Sequence, residues 1–148
     1  MQNSAIKFKI VTPEKTVFEE MIDQATFPTS SGQITILPNH RSYITDLEPG
    51  EVMIKMNGKE TYLSISGGFI EFHDNVLVVL ADTAERADEI DLERAEEGRK
   101  KAEEIKKQII STDDAEYARV AAAIQKEAAR IRVARKHRTA SGMILNQN

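Results

Sequence analysis

The stretch LADTAERADEIDLERAEEGRKKAEE, Leu80 to Glu104, is where the chain changes its pattern. Before it, apolar residues alternate or cluster in short β-prone runs. After it, Ala, Glu, Lys and Arg dominate, no proline occurs, and Gly98 and Gly142 are the only glycines. These are good helix formers. Asp91 stands just ahead of Leu92, where a carboxylate can cap the first free amides of a helix. One junction thus divides the chain into a strand-rich half and a helical half.

Working back towards the N-terminus, Ile6, Phe8 and Ile10 alternate with Lys7 and Lys9, the period of a half-buried strand. Thr16–Met21, Gly32–Leu37, Val52–Met56, Thr61–Ile65, Phe69–Phe72 and Val76–Leu80 read as further short strands. Asn57-Gly58 separates two of them and suits a type I′ turn, whose central residues both need positive φ. Asp74-Asn75 separates another two. Ser64-Ile65-Ser66-Gly67-Gly68 marks a bulge or a close backbone approach. The run VLVVL predicts a strand buried on both faces. Pro13, Pro28, Pro38 and Pro49 are expected at strand ends or in loops. Many short strands without βαβ alternation predict an antiparallel sandwich or barrel.

Working forward, Leu92, Ala95, Ala102, Ile105 and Ile109 form a sparse stripe at helical spacing. Ser111–Asp114 breaks it, and Asp113 with Glu116 resembles a capping box opening a second helix. Tyr117, Val120, Ala121, Ile124, Ala128 and Ile131 form the second stripe. So short a link predicts an antiparallel hairpin. The fold class is therefore α+β: a sandwich over residues 1–86, a helical hairpin over 87–138, and a disordered tail over 139–148. Both stripes are narrow and rich in alanine. At roughly 25 cal/mol per Å² such stripes bury little, so a hairpin that docks on the sandwich and can leave it is as reasonable as a fixed one.

Composition excludes several classes of function. There is no cysteine, hence no disulfide, thiolate nucleophile or thiolate metal site. No secretory leader and no run of about 20 apolar residues is evident, so a protein of a reducing compartment is expected. His40, His73 and His137 show no metal-ligand spacing, and no Walker A, GxGxxG or GxSxG sequence occurs. A His40–Ser42–Asp46 triad can be drawn but has nothing beyond proximity in sequence to support it. Net charge is -4, yet from Ala129 onward there are five Lys and Arg residues and no acid. That basic tip (Arg130, Arg132, Arg135, Lys136, Arg138) seeks an acidic partner. Tryptophan is absent and no aromatics interleave the tip, so nucleic acid is not expected. Asp91, Arg94 and Lys101 share a helical face, as do Lys126 and Arg130. In a folded hairpin these cations could converge on a phosphate; equally, Asp91 is a cap and Arg94 a solvated residue.

The same 80–104 stretch, together with VTPEKTVFEE, GQITILPNHRSYITDLEPG, SISGGFIEFHDNVLVVLAD and RIRVARK, resembles the epsilon subunit of bacterial F-type ATP synthases over nearly the whole chain. The resemblance implies a ten-stranded sandwich, no catalytic group, and a place in the central rotor stalk coupling c-ring rotation to the catalytic hexamer. It implies gamma and the c-ring as partners of the sandwich, with Gln33, Ile34 and His40 in the c-ring contact loop. It implies catalytic alpha and beta subunits as partners of the C-terminal helices, through the inhibitory tip Arg130, Arg132, Arg135 and Lys136. The location implied is the cytoplasmic face of the cell membrane, reached only through the complex. The family's ATP motif maps onto Ile90, Asp91, Arg94 and Ala95, with Glu85 before it and Lys101, Lys126 and Arg130 as phosphate contacts. No cofactor is required, and ATP is a regulatory ligand. This chain departs from the pattern at Gln33, where an acid is usual, at Asn39, where glycine is usual, and at Lys101 and Lys126, where arginines are expected. Lysine lacks the bidentate fork, which implies weak ATP binding. A stand-alone ATP-sensing module is the alternative reading.

Overall fold

The computed structural model describes residues 5–109 and 114–145, with 138–145 described by backbone alone. Ten strands come first: β1 (Ile6–Val11), β2 (Thr16–Ile22), β3 (Gln24–Thr29), β4 (Gly32–Ile36), β5 (Tyr43–Leu47), β6 (Gly50–Met56), β7 (Lys59–Ile65), β8 (Gly68–His73), β9 (Val76–Ala81) and β10 (Ala84–Arg86). A 3-10 turn (Ala87–Glu89) leads to α1 (Leu92–Gln108) and α2 (Asp114–Leu145).

The strands form two five-stranded sheets, ordered β2-β1-β9-β8-β5 and β10-β7-β6-β3-β4. Pairing is antiparallel except between β1 and β9, which run parallel with Lys7 opposite Val76. The expected antiparallel sandwich thus contains one parallel pair. The core between the sheets holds Ile6, Phe8, Ile10, Phe27, Val52, Leu63, Ile70 and Leu77, each essentially inaccessible to solvent. Phe8 lies 5.6 Å from Phe18 and 6.2 Å from Phe27, ring centre to ring centre, in tilted contact.

Turn chemistry follows the sequence. Asn57 and Gly58 take φ of 52° and 78°, and Asp74 and Asn75 take 49° and 61°. Gly68, at φ 136°, begins β8 so close to β9 that a Cβ there would lie 2.0 Å from the Leu80 carbonyl oxygen. This is the close approach the glycine pair foretold.

Three expectations are corrected. VLVVL is buried on one face only: Leu77 and Val79 point inward, while Val76 and Leu80 are exposed. Sheet one, in which β9 sits, has nothing packed over its outer face among the described elements. Pro28 lies within β3 rather than beyond its end. β3 pairs with β6 only over Gln24–Thr26, so a residue without an N–H costs nothing at position 28 on that side. The backbone of α2 continues to Leu145, where a disordered tail from 139 was expected. Ala140, Met143 and Leu145 sustain a helix once one is running. The expected capping residue Asp113 lies outside the described residues.

The hairpin itself is as predicted, and its interior is small. Ala95 and Ala102 of α1 and Ala129, Ile131, Val133 and Ala134 of α2 are buried. Of the two predicted stripes, Ile105 and Tyr117 remain exposed.

Candidate functional site

The hairpin seats α2 on the outer face of sheet two, against β7, β6 and the 3-10 turn. Strand register explains the seat. Inward-facing Leu63 and Ile65 leave Ser64 facing outward, and Ser64 pairs with Glu51 on β6 and with Glu85 on β10. Two carboxylates therefore flank Ser64 in one row across three strands. Two strand spacings are about 9.6 Å. Six residues of helix rise about 9 Å, the separation of Arg130 and Lys136 along α2. The row and the helix match.

The contacts follow that match. Arg130 donates from Nε to Glu85 Oε2 at 2.8 Å and from a terminal nitrogen to Oε1 at 3.3 Å, and its other terminal nitrogen donates to Glu127 at 2.8 Å. Burial pushes the guanidinium pKa down, but the hydrogen bonds to Glu85 and Glu127 outweigh it and the net direction is up. Lys136 Nζ donates to both oxygens of Glu51 at 3.2 Å. His137 stacks on Tyr62 with ring centres 3.6 Å apart, and its Nε2 is 3.3 Å from Glu51. Arg135 pairs with Glu96 of α1. Between these charges lies a small apolar cluster of Ala87, Ile90, Val133 and Ala134, with Tyr62 and Leu92 at its margin. Gly98 lets the two helices close. A Cβ there would stand 3.1 Å from Glu127 Cδ, the side chain that steadies Arg130.

The residues of the predicted nucleotide motif are thus partly gathered. Glu85 and Arg130 touch each other. Ile90 and Ala95 are buried, and Ile90 belongs to the seam. Asp91 is the N-cap of α1, accepting from the Arg94 amide at 3.1 Å. The Arg94 and Lys101 side chains are exposed, and Lys126 is half-buried. Of the basic tip, Arg130, Arg135 and Lys136 are engaged by carboxylates of this chain, whereas Arg132 is exposed. The Arg138 side chain lies outside the described residues.

At the other end of the sandwich, Gln33 is exposed on β4 and Ile34 is half-buried. His40 lies in the segment leading to β5, its Nδ1 2.7 Å from the Arg41 carbonyl and its ring edge-on to Tyr43 and Phe72. Asn39 takes φ 64°, a conformation asparagine tolerates and glycine prefers. Asn75 secures it, accepting from its amide at 2.6 Å and donating to its side chain at 3.0 Å. The triad drawn from sequence is not assembled: Ser42 hydrogen-bonds His73 at 2.8 Å rather than His40. His73 in turn faces Asp74 on a solvent-exposed turn.

Sequence reasoning missed Glu51, Tyr62, Glu127 and His137. Only Glu127, three residues before Arg130 on one helical face, carried a local signal.

The outer face of sheet one is open. Ile44, Phe69 and Leu80 are 72%, 54% and 52% exposed, and Val76 and Met21 are exposed beside them. Register places Phe69 opposite Leu80 and Val11 opposite Leu80 in one row. Five large apolar side chains of this one sheet are thus exposed. Among the described residues, no helix is long and apolar enough to cross a membrane.

A sandwich with one open apolar face, and on the other a helical hairpin held by a few charges, is the architecture of a subunit that works by docking. The family model for the ATP synthase, Delta/Epsilon chain, beta-sandwich domain matches residues 5–87. The ATP synthase epsilon chain of Herpetosiphon aurantiacus is 42% identical over 133 residues, covering 90% of this chain and 96% of that protein. That of Levilactobacillus brevis is 41% identical over 133 residues, covering 89% and 96%. Among solved structures, a chain of the Euglena gracilis mitochondrial ATP synthase (OSCP/F1/c-ring) matches with a TM-score of 0.72 at 22% identity, covering 87% of this chain and 81% of that one. A chain of the Tetrahymena thermophila mitochondrial ATP synthase central stalk/c-ring matches with a TM-score of 0.61 at 16% identity, covering 93% and 98%. At these identities the two structures establish the fold. The chain belongs to the ATP synthase epsilon chain family, and it is a non-catalytic subunit of that complex.

Proposed function

We propose that this chain is the rotor-stalk subunit whose sandwich joins gamma to the c-ring and whose hairpin, on leaving the sandwich, restrains ATP hydrolysis by the catalytic hexamer. The observation that carries this reading is the seam itself. Arg130, Arg135 and Lys136 are each bound to a carboxylate of the same chain, and the apolar cluster beneath them is small. Arg135 is held within the hairpin, by Glu96 of α1, but docking on the sandwich and meeting an acidic partner are competing uses of Arg130 and Lys136. The open face around Ile44, Phe69 and Leu80 supports gamma as the occupant of sheet one, and exposed Gln33 on β4, with the segment bearing His40, is the part offered to the c-ring. On this reading the protein lies at the cytoplasmic face of the cell membrane, attached through the proton-translocating complex. The test is a synthase reconstituted with the chain ended after Asp88. Rotor assembly and coupled synthesis should persist while ATP hydrolysis rises; unchanged hydrolysis would overturn the inhibitory role.

Regulatory ATP belongs to the same proposal. A triphosphate that recruits Arg130 must take it from Glu85 and Glu127, and Lys101 and Lys126 offer charge without a fork. Weak binding follows. Calorimetry of ATP into the full chain should show saturable heat in the millimolar range that Arg94→Ala abolishes. Absence of heat would leave hairpin position to protein contacts alone.

A further inference from the structure

We propose that the β8–β9 turn positions the segment offered to the c-ring: the Asn75 side chain, with His73 beside it, holds residues 37–42 in the conformation that meets that partner. The inference rests on the c-ring reading above but gives a role to groups that reading does not use.

The segment is weakly held by itself. It leaves β4 at the edge of one sheet, enters β5 at the edge of the other, and lies outside both strand ladders. Pro38 has no N–H to donate. Asn39 takes φ 64°, a region that asparagine tolerates and glycine prefers. Leu37 is 50% exposed, so burial does little to anchor it. Within the segment the His40 amide donates to the Leu37 carbonyl at 3.2 Å. The His40 ring meets Phe72 and Tyr43 edge-on, with ring centres 5.9 and 6.1 Å away.

The turn it leans on is firm. β9 lies between β1 and β8 in the interior of sheet one. Asp74 and Asn75 take φ of 49° and 61°, and the flanking His73 and Val76 are paired across the hairpin. The Asn75 carbonyl also accepts from the Lys7 amide at the start of β1, at 2.9 Å. From that fixed point the Asn75 side chain makes two bonds of opposite sense. Its Oδ1 accepts from the Asn39 backbone amide at 2.6 Å, and its Nδ2 donates to Asn39 Oδ1 at 3.0 Å. A donor and an acceptor used together fix orientation as well as distance. His73, the last residue of β8, is hydrogen-bonded through Nδ1 to Ser42 Oγ at 2.8 Å. One turn thus grips the segment on both sides of His40. The segment is ordered before any partner arrives, and binding need not order it.

Asn75→Gly removes both side-chain bonds and keeps the turn, because Asp-Gly suits the same backbone. Hydrogen exchange in the full-length chain reads the order of the segment. The His40 amide is the reporter, since its own bond to the Leu37 carbonyl uses no group that the substitution removes. Its protection should fall about tenfold, as for the loss of two exposed hydrogen bonds of modest strength. Binding of the same chain to a rotor of gamma and c-ring stripped of it should weaken about threefold or more. It should not weaken by more than protection falls, because order lost in the free chain lowers affinity at most by that factor. Thermal unfolding of the sandwich should be unchanged. Asn75→Asp keeps the acceptor for the Asn39 amide and, with the Asn39 side chain turned to donate, should restore most of both losses. Protection within about twofold of the unsubstituted chain in Asn75→Gly would overturn the proposal. Weaker binding without lost protection would also overturn it, by making Asn75 a contact of the partner. Lost protection with unchanged rotor affinity would instead remove the c-ring from this segment and leave the clasp standing.

Discussion

Arg130 is the most informative side chain to remove. Its side chain is 16% exposed, and it holds Glu85 at 31% and Glu127 at 16%. Exposed ion pairs contribute about 0–1 kcal/mol, and truncating one partner of a fully buried pair costs about 3–5 kcal/mol. This network lies between. Arg130→Ala removes three charge-assisted hydrogen bonds and leaves two shielded carboxylates near each other. The expected cost to docking is about 2 kcal/mol, a roughly thirtyfold shift towards the released hairpin. Hydrogen exchange at the buried Val133 and Ala134 amides should report it. A cycle with Glu85→Gln should return a coupling of about 1–2 kcal/mol. A loss of protection below threefold, or strictly additive single changes, would refute the view that this network holds the hairpin.

Other substitutions probe separate parts. Gly68→Ala places a Cβ 2.0 Å from the Leu80 oxygen at φ 136°, and should cost about 4 kcal/mol or more. Thermal unfolding followed by circular dichroism should then show a midpoint lower by at least about 15 °C. Phe69→Asp, on the open face, should change stability by under about 1 kcal/mol but weaken association with gamma at least about tenfold in a pull-down or surface-binding assay. Asp91→Ala removes the cap of α1 and should cost about 1 kcal/mol, visible as faster exchange over Leu92–Ala95 with the sandwich unaffected.

Local chemistry made much of the fold readable. Asn57-Gly58 and Asp74-Asn75 announced turns whose positive φ values are realised, and the composition change after Ala81 marked the sandwich–hairpin boundary. β3, β5 and β10 escaped notice for physical reasons. Pro28 disguises β3, β5 carries Asp46 in a short run, and β10 has three residues held by pairing with Leu63–Ile65. VLVVL is half-exposed: an apolar run does not reveal whether a second layer covers it, and here no described element does. The seam was less readable still. Arg130 and Glu85 are 45 residues apart, and Lys136 and Glu51 are 85 apart. Only the register that places Glu51, Ser64 and Glu85 in one row brings those acids under α2. Cations on a helix were visible, as was Glu127 beside Arg130, but the pairing of Glu85 and Glu51 with those cations was not.

The parallel pairing of β1 with β9 sets an order of assembly. β1 can take β2 as a partner as soon as both exist, but its other edge waits until Val76–Leu80 has been made. Such a distant pairing is entropically slow compared with the β6–β7 and β8–β9 hairpins. During synthesis the sandwich therefore closes late, and the outer row of Glu85, Ser64 and Glu51 is complete only after β10. The helices emerge last, onto a platform already finished. A hairpin added in that order need not be woven into the core to be held.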